Sequence, residues 1–269
     1  STNELRTILR NRIRLELLPM LAAYNPRIKD ALARASEILR IEEDYIERET
    51  RRKFGSVFTR DTAGLKGGLR KFRRLHQALR LRMLRNAIDD VHNGLKNITS
   101  LHLLSADGFL MSGSASGEVE FPDDIVVAKG HGSFLVTTRA SLKSGFSYII
   151  KTPGEWKFPG FEVRVEETSA KSLEEEREDV AYFDTRKVVF PIEIRSFRAG
   201  DRFVPLGMKG EKKLKDYFID SKVPRFERYR IPIFTSGGRI FWVGGMRMDD
   251  RFKVGKKGTK AIRISLVVL

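Results

Sequence analysis

The sequence predicts an α+β multi-domain chain, with a helical N-terminal part, a β-rich middle and a small mixed α/β C-terminal part. Three observations predict it. Apolar residues recur at helical spacing through the first hundred or so positions. From Ile98 onward they fall into short runs broken by Gly, Pro and Asp, the signature of strands and turns. Charge changes where the period does: 22 basic and 12 acidic residues over 1–97 (+10), 10 and 15 over 98–190 (−5), 19 and 8 over 191–269 (+11). The domains expected are therefore a connecting helix over 1–26, a helical domain over 27–97, a β-rich acidic segment over 98–190 and a C-terminal domain over 191–269.

Thr2 or Asn3 is placed to cap a first helix carrying Leu5, Ile8, Leu9, Ile13, Leu17 and Met20, with Pro19 expected to kink or end it. Asn25-Pro26 restarts a helix, Asn as cap and Pro in the first turn. That helix puts Ile28, Ala31, Leu32, Ala35, Ile38, Leu39, Tyr45 and Ile46 on one stripe and should stop near Phe54-Gly55. A glycine-rich linker (Gly64, Gly67, Gly68) leads to a third helix with Leu69, Phe72, Leu75, His76, Leu79 and Met83 on one face, His76 reading as a packed histidine. The rest of its arc holds Arg70, Lys71, Arg73, Arg74, Arg80, Arg82 and Arg85. No acidic residue lies between Lys66 and Arg85. A solvated face is one reading; mutual repulsion favours an anion, and hence phosphate contact.

Strands are expected over 118–121, 125–129, 133–138, 146–151 and 161–166, with Gly130-His131-Gly132 as a hairpin turn. The acidic run 171–179 reads as a linker or short helix. Further strands are expected over 188–194, 239–243 and 261–268, and a short amphipathic helix over 212–219 with Leu214, Tyr217 and Phe218 inward.

The net charge of +16 points to a polyanion. With no cysteine and four scattered histidines, neither disulfides nor a metal site is expected. No apolar run is long enough to cross a bilayer and no secretory signal is visible, so a cytoplasmic, membrane-free protein is expected. Ser236-Gly237-Gly238 has the start of a pyrophosphatase-type loop, but Arg239-Ile240-Phe241 follow it, and flanking apolar runs make it a hairpin turn. Gly207-Met208-Lys209-Gly210 has the GxxG form that clamps RNA in KH domains, beside Lys212, Lys213 and Lys215. Asp123-Asp124 and Asp249-Asp250 read as turn residues. No nucleophile–base constellation stands out. Candidate RNA contacts are Arg70, Arg73, Arg74, Arg80, Arg198, Arg202, Lys209, Lys212, Lys213, Lys215, Lys222, Arg225 and Arg228.

Two segments carry a resemblance. Arg10-Asn11-Arg12-Ile13-Arg14 with Leu17-Leu18-Pro19 resembles the segment after the ATP-binding domain in tRNA(Ile)-lysidine synthetases. Phe197-Arg198-Ala199-Gly200-Asp201-Arg202-Phe203, then Lys212-Lys213-Leu214-Lys215-Asp216-Tyr217-Phe218, Val223-Pro224-Arg225 and Trp242-Val243-Gly244-Gly245, resembles that family's C-terminal domain in the same order. The resemblance implies a parent enzyme that uses ATP, Mg and free lysine to convert the wobble cytidine of an isoleucine tRNA (CAU anticodon) to lysidine. It implies that catalysis belongs to a preceding domain, so this chain is expected to be a fragment that is silent alone while its two basic blocks grip the tRNA. It further implies a C-terminal block similar to a tRNA-binding fold of the phenylalanyl-tRNA synthetase β subunit, on the acceptor side of the tRNA. Arg10, Arg12 and Arg14 cannot all face one way, and at least one is expected to meet the catalytic site. A homodimer stays open, as does a stand-alone RNA-binding protein with no enzymatic parent.

Overall fold

The protein was analysed as a computed structural model, which describes residues 8–169, 177, 179–255 and 260–268. The expected cap at Thr2 or Asn3, Leu5, and most of the acidic run 171–179 lie outside those residues. The chain divides into two compact units, residues 1–55 and 56–269.

The first unit is helical. Helix α1 (Leu9–Arg12) passes through a π-helical turn (Ile13–Leu17) into α2 (Leu18–Tyr24). Pro19 therefore does not end the helix: it sits in the first turn of α2, directly after the π turn, an irregularity of the kind that lets a helix carry a proline. Asn25 punctuates as expected, its Oδ1 accepting from Arg27 N at 3.0 Å. Helix α3 (Ile28–Val57) follows, laced by pairs such as Arg40–Glu37 and Arg48–Asp44, both at 2.7 Å. Its apolar stripe is not a core: Leu39 is 63% and Tyr45 62% exposed.

In the second unit, the expected glycine-rich linker is a β-hairpin. Strands β1 (Phe58–Asp61) and β2 (Gly64–Gly68) pair antiparallel, and β2 continues onto a strand of the middle segment. The glycine that signals a linker here makes room: a Cβ on Gly67 would stand 2.2 Å from the Phe134 ring. The sheet is completed by β3 (Gly117–Glu120), β4 (Ile125–Lys129) and β5 (Ser133–Thr138), in the order β1-β2-β5-β4-β3. The expected single arginine-rich helix is two, α4 (Leu69–Arg73) and α5 (Gln77–His92). His76 is the break: it is exposed, and its Nδ1 accepts from Ala78 N, capping α5 instead of packing in a core. Helix α6 (Ser100–Met111) packs against α5. Position 97 is thus not a structural boundary, because α4–α6 and the sheet form one layer pair.

After α7 (Arg139–Lys143), strand β6 (Ser147–Ile150) leaves that sheet and pairs with β10 (Ile192–Arg195). Strands β7 (Gly154–Phe158), β8 (Phe161–Ser169) and β9 (Val180–Asp184) join the last strand, β16 (Lys260–Val268), in the order β7-β8-β16-β9. The expected boundary at 190 is therefore crossed by two sheets. The strand expected at 188–194 starts only at Ile192, after Pro191, which has no N–H for a ladder. The remaining elements are β11 (Arg202–Phe203), β12 (Lys212–Lys213), α8 (Leu214–Asp220), β13 (Ile233–Ser236), β14 (Arg239–Val243) and β15 (Arg247–Met248). A second five-stranded sheet runs β15-β14-β13-β10-β6. Phe241 is an extra residue between the pairs Phe234↔Trp242 and Thr235↔Ile240, so adjacent aromatics Phe241 and Trp242 enter one core while Ile240 and Val243 enter another. The first core joins the two C-terminal sheets; the second lies under α8, around Phe203, Leu214 and Phe218.

Candidate nucleic-acid interface

The basic run at α4–α5 sorts by what each side chain already touches. Leu69 and Phe72 are buried, which turns Arg70, Lys71 and Arg74 outward. These three have no hydrogen-bond or ion-pair partner among the described residues. Arg73 instead reaches the C-terminal end of α6, donating to Leu110 O at 2.9 Å and Ser112 O at 2.7 Å. Lys129, 2% exposed, serves the same end, donating to Phe109 O (2.8 Å) and Ser112 O (2.9 Å). The two cations donate to carbonyls at the end of α6, where the regular helical amides run out and the helix dipole is negative. Burial pushes the Lys129 ammonium below the usual lysine range, and the nearby Arg73 charge adds to that. Arg80 forks onto Asp107 at 2.6 and 3.0 Å and donates to Leu75 O; the hydrogen bond to Asp107 raises its pKa against the effect of burial. Of the four arginines predicted here, Arg70 and Arg74 remain available to a ligand, while Arg73 and Arg80 hold the fold.

The C-terminal candidates divide the same way. Arg202 on β11 lies directly opposite Lys213 on β12, and Phe203 opposite Lys212. Phe203 enters the core under α8, so Arg202 and Lys213 share the exposed face. Lys212 and Lys213 precede α8 instead of lying on it, and Lys212 is half-buried and paired with Asp220. Only Lys215 of the three lysines is helical, exposed opposite buried Leu214 and Phe218. The GxxG stretch is a turn between strands: Gly207 N donates to Asp250 Oδ1 at 3.0 Å, so that amide is already used, and Lys209 is left exposed. Lys222 is exposed in a left-handed conformation (φ 55°).

The loop after it is pinned to the first sheet. Phe226 is buried among Val126, Ala128 and Leu135, Glu227 pairs with Lys66 at 2.6 Å, and Arg230 pairs with Asp61. Anchoring Phe226 leaves Arg225 exposed, whereas Arg228 donates twice to Val223 O at 3.2 Å, with burial lowering its pKa. Arg198 is paired with Glu193 at 2.9 Å. The side chains of Arg202, Lys209, Lys213, Lys215, Lys222 and Arg225 thus have no hydrogen-bond or ion-pair partner among the described residues; those of Arg198, Lys212 and Arg228 do. In the first unit, Arg10, Arg12 and Arg14 are exposed, Arg12 standing 3.9 Å from Glu16.

The fold also brings the predicted Arg202 together with three cations that the sequence reading missed, Arg195, Arg239 and Arg251. Arg195, Arg202, Arg239 and Arg251 line one cleft of about 430 Å³. Arg239 enters it because the β13–β14 hairpin returns the chain there. The turn of that hairpin, Gly237 (φ 55°) and Gly238 (φ 74°), is closed by the pair Ser236↔Arg239 and tied to the segment before Pro191 by Ser236 Oγ, which accepts from Val189 N and donates to Val189 O, each at 2.8 Å. Those atoms do not form an ATP phosphate cradle. Asp123 and Asp124 are turn residues with positive φ; Asp249 is buried and holds Val204 N and Arg251. Among the described residues no group of three His, Asp or Glu could hold a metal ion, and no helix is long and apolar enough to cross a membrane.

A family described as the TilS substrate C-terminal domain matches residues 192–266. The tRNA(Ile)-lysidine synthase of Geobacter sulfurreducens is 35% identical over 264 residues, covering 95% of this chain and 56% of that protein. The enzyme of the same name from Caldanaerobacter subterraneus subsp. tengcongensis is 30% identical over 260 residues, with the same coverage of each. Among solved structures, the crystal structure of a TilS C-terminal domain shares 30% identity, covering 47% of this chain and 98% of its own, with a TM-score of 0.43. The chain spans about half the length of the curated relatives it matches. It belongs to the tRNA(Ile)-lysidine synthase family and carries that family's substrate C-terminal domain over residues 192–266.

Proposed function

We propose that this chain is the tRNA-gripping portion of a lysidine-forming ligase, holding the body of an isoleucine tRNA while ATP, Mg and lysine are handled by residues outside it. The observation that carries this reading is the pairing of family membership with two sets of exposed cations whose side chains have no partner among the described residues. One is Arg70 and Lys71 on α4 with Arg74 just after it; the other comprises Arg202, Lys209, Lys213, Lys215, Lys222 and Arg225. Guanidinium and ammonium groups without protein partners are suited to neutralising phosphates, which position an RNA without reading its sequence. By the family resemblance, residues 191–269 are likened to the tRNA-binding fold of the phenylalanyl-tRNA synthetase β subunit, on the acceptor side. A stand-alone RNA-binding protein is not favoured by the family match.

The test is a charge deletion that spares the fold. Replacing Lys209, Lys213 and Lys215 with Ala removes three exposed, unpaired charges. Binding to full-length tRNA should weaken, its salt slope falling by up to about two to three units, while binding to an isolated anticodon stem-loop hardly changes. A triple variant that binds tRNA as the parent does makes this patch only a solvated face.

A further inference from the structure

We propose that the cleft bounded by β11, the turn between β13 and β14, and the 3₁₀ turn Asp250–Phe252 seats a phosphate group of the RNA, gripped by Arg202 and Arg239. The proposal rests on the RNA-binding reading above and names a contact within it.

Four arginines line this cleft, and they are not equivalent. Arg195, 7% exposed in its side chain, is fixed: its Nη1 and Nη2 donate to Asp201, both at 2.8 Å, and Nη1 also to Ser196 O at 3.0 Å. Arg251 is fixed too, forked onto buried Asp249 at 3.0 and 2.8 Å, with Glu211 at 3.2 Å. Arg202 and Arg239 are exposed and have no partner among the described residues. The site thus has a floor of ion-paired arginines and two free ones at its rim.

Two further features point to an anion. Arg202 stands directly across the ladder from Lys213, which does not line the cleft but adds positive potential beside it. Arg195 Nε is buried without a hydrogen-bond partner, 3.9 Å from a Glu193 oxygen, so the positive charge beneath the cleft is not fully satisfied by hydrogen bonds. A planar guanidinium fork matches phosphate oxygens in pairs, which an ammonium does not. The volume, about 430 Å³, lies within the roughly 300–1,000 Å³ usual for ligand sites and leaves space for a sugar beside the phosphate. A doubly charged terminal phosphate and a singly charged backbone diester share this chemistry.

The experiment uses the whole chain with Arg202→Gln, Arg239→Gln and the double variant, each checked for an unchanged thermal midpoint. Titration with inorganic phosphate should move the Nε–H resonances of Arg202 and Arg239. The double variant should lose roughly tenfold or more in tRNA affinity, with a salt slope smaller by about one. Arg→Lys at both positions should recover only part of the loss. If the deficit disappears against tRNA bearing a 5′-hydroxyl, the cleft holds the terminal phosphate; if it persists, the cleft holds a backbone diester. A double variant that binds tRNA with the parent's affinity and slope, or arginine resonances unmoved by phosphate, overturns the proposal. A parent chain that does not bind tRNA at all overturns the RNA reading instead, and the phosphate titration then decides the cleft alone.

Discussion

Arg70 and Arg80 belong to one basic run, yet the first faces solvent while the second is 11% exposed and forked onto Asp107, itself 3% exposed. Removing one partner of a buried pair leaves the other charge uncompensated, so Arg80→Ala should cost on the order of 3 kcal/mol in urea unfolding. Arg70→Ala should stay within about 0.5 kcal/mol and instead shrink the salt slope of tRNA binding by about one. Equal stability losses in the two variants would show that the division into structural and available arginines is wrong. Asp184 gives a second residue-scale prediction. Its hydrogen bonds from Arg186 hold the carboxyl at about 2, below its ordinary 3.8, against burial that pushes the other way. Because the folded pKa is depressed, the stabilisation is present above about pH 4 and is lost as pH falls through about 2. Asp184→Asn should therefore be less stable than the parent near neutrality, and the gap should close on acidification. A gap that persists unchanged at pH 2 would contradict the assignment. At this scale the sequence revealed which residues are charged and where they run together. It did not reveal pairing, because Asp107, Glu193 and Asp220 meet their cations only through tertiary structure.

Elements were legible where a local rule decides them. The strands expected at 118–121, 125–129, 133–138, 146–151 and 161–166, the turn at Gly130-His131-Gly132 and the hairpin at Gly237-Gly238 follow from short apolar runs punctuated by glycines, of which Gly132, Gly237 and Gly238 are left-handed, whereas β7 (Gly154–Phe158) was not anticipated. The hairpin Phe58–Gly68 was not legible, since glycine is the weakest strand former and its purpose lies in Phe134, far along the chain. Gly67→Ala tests this: the added methyl meets an aromatic ring in a closed core, costing about 1–3 kcal/mol, whereas Gly55→Ala, with nothing within 4 Å of its Cβ, should be neutral or slightly stabilising. Comparable thermal midpoints for the two variants would mean that β2 does not lie against Phe134. The break at His76 was also hidden, because a histidine on an apolar stripe reads as packed until the turn Arg74–His76 is seen to redirect the chain.

At the scale of the molecule, the charge blocks +10, −5 and +11 anticipate basic clusters but not their architecture. The sheets mix the blocks: β6, β8 and β9 from the acidic middle pair with strands of the basic C-terminal part, and Phe226 with Glu227 ties the C-terminal loop to the first sheet. The cleft with Arg239 arises from that returning topology and so escaped a reading confined to neighbours in sequence. Family motifs, by contrast, were legible directly, because each combines a turn, a charge and a core residue in fixed order. With no pyrophosphatase loop in the sequence, the chain incubated alone with ATP, lysine and isoleucine tRNA should form neither AMP nor lysidine above background. The most direct test of the central claim is the affinity of the chain for isoleucine tRNA as a function of salt. Phosphate neutralisation by several of the unpaired cations predicts a linear fall of log K with log salt, at about −0.7 to −0.9 per contact. A flat response, or no binding at low salt, would contradict it.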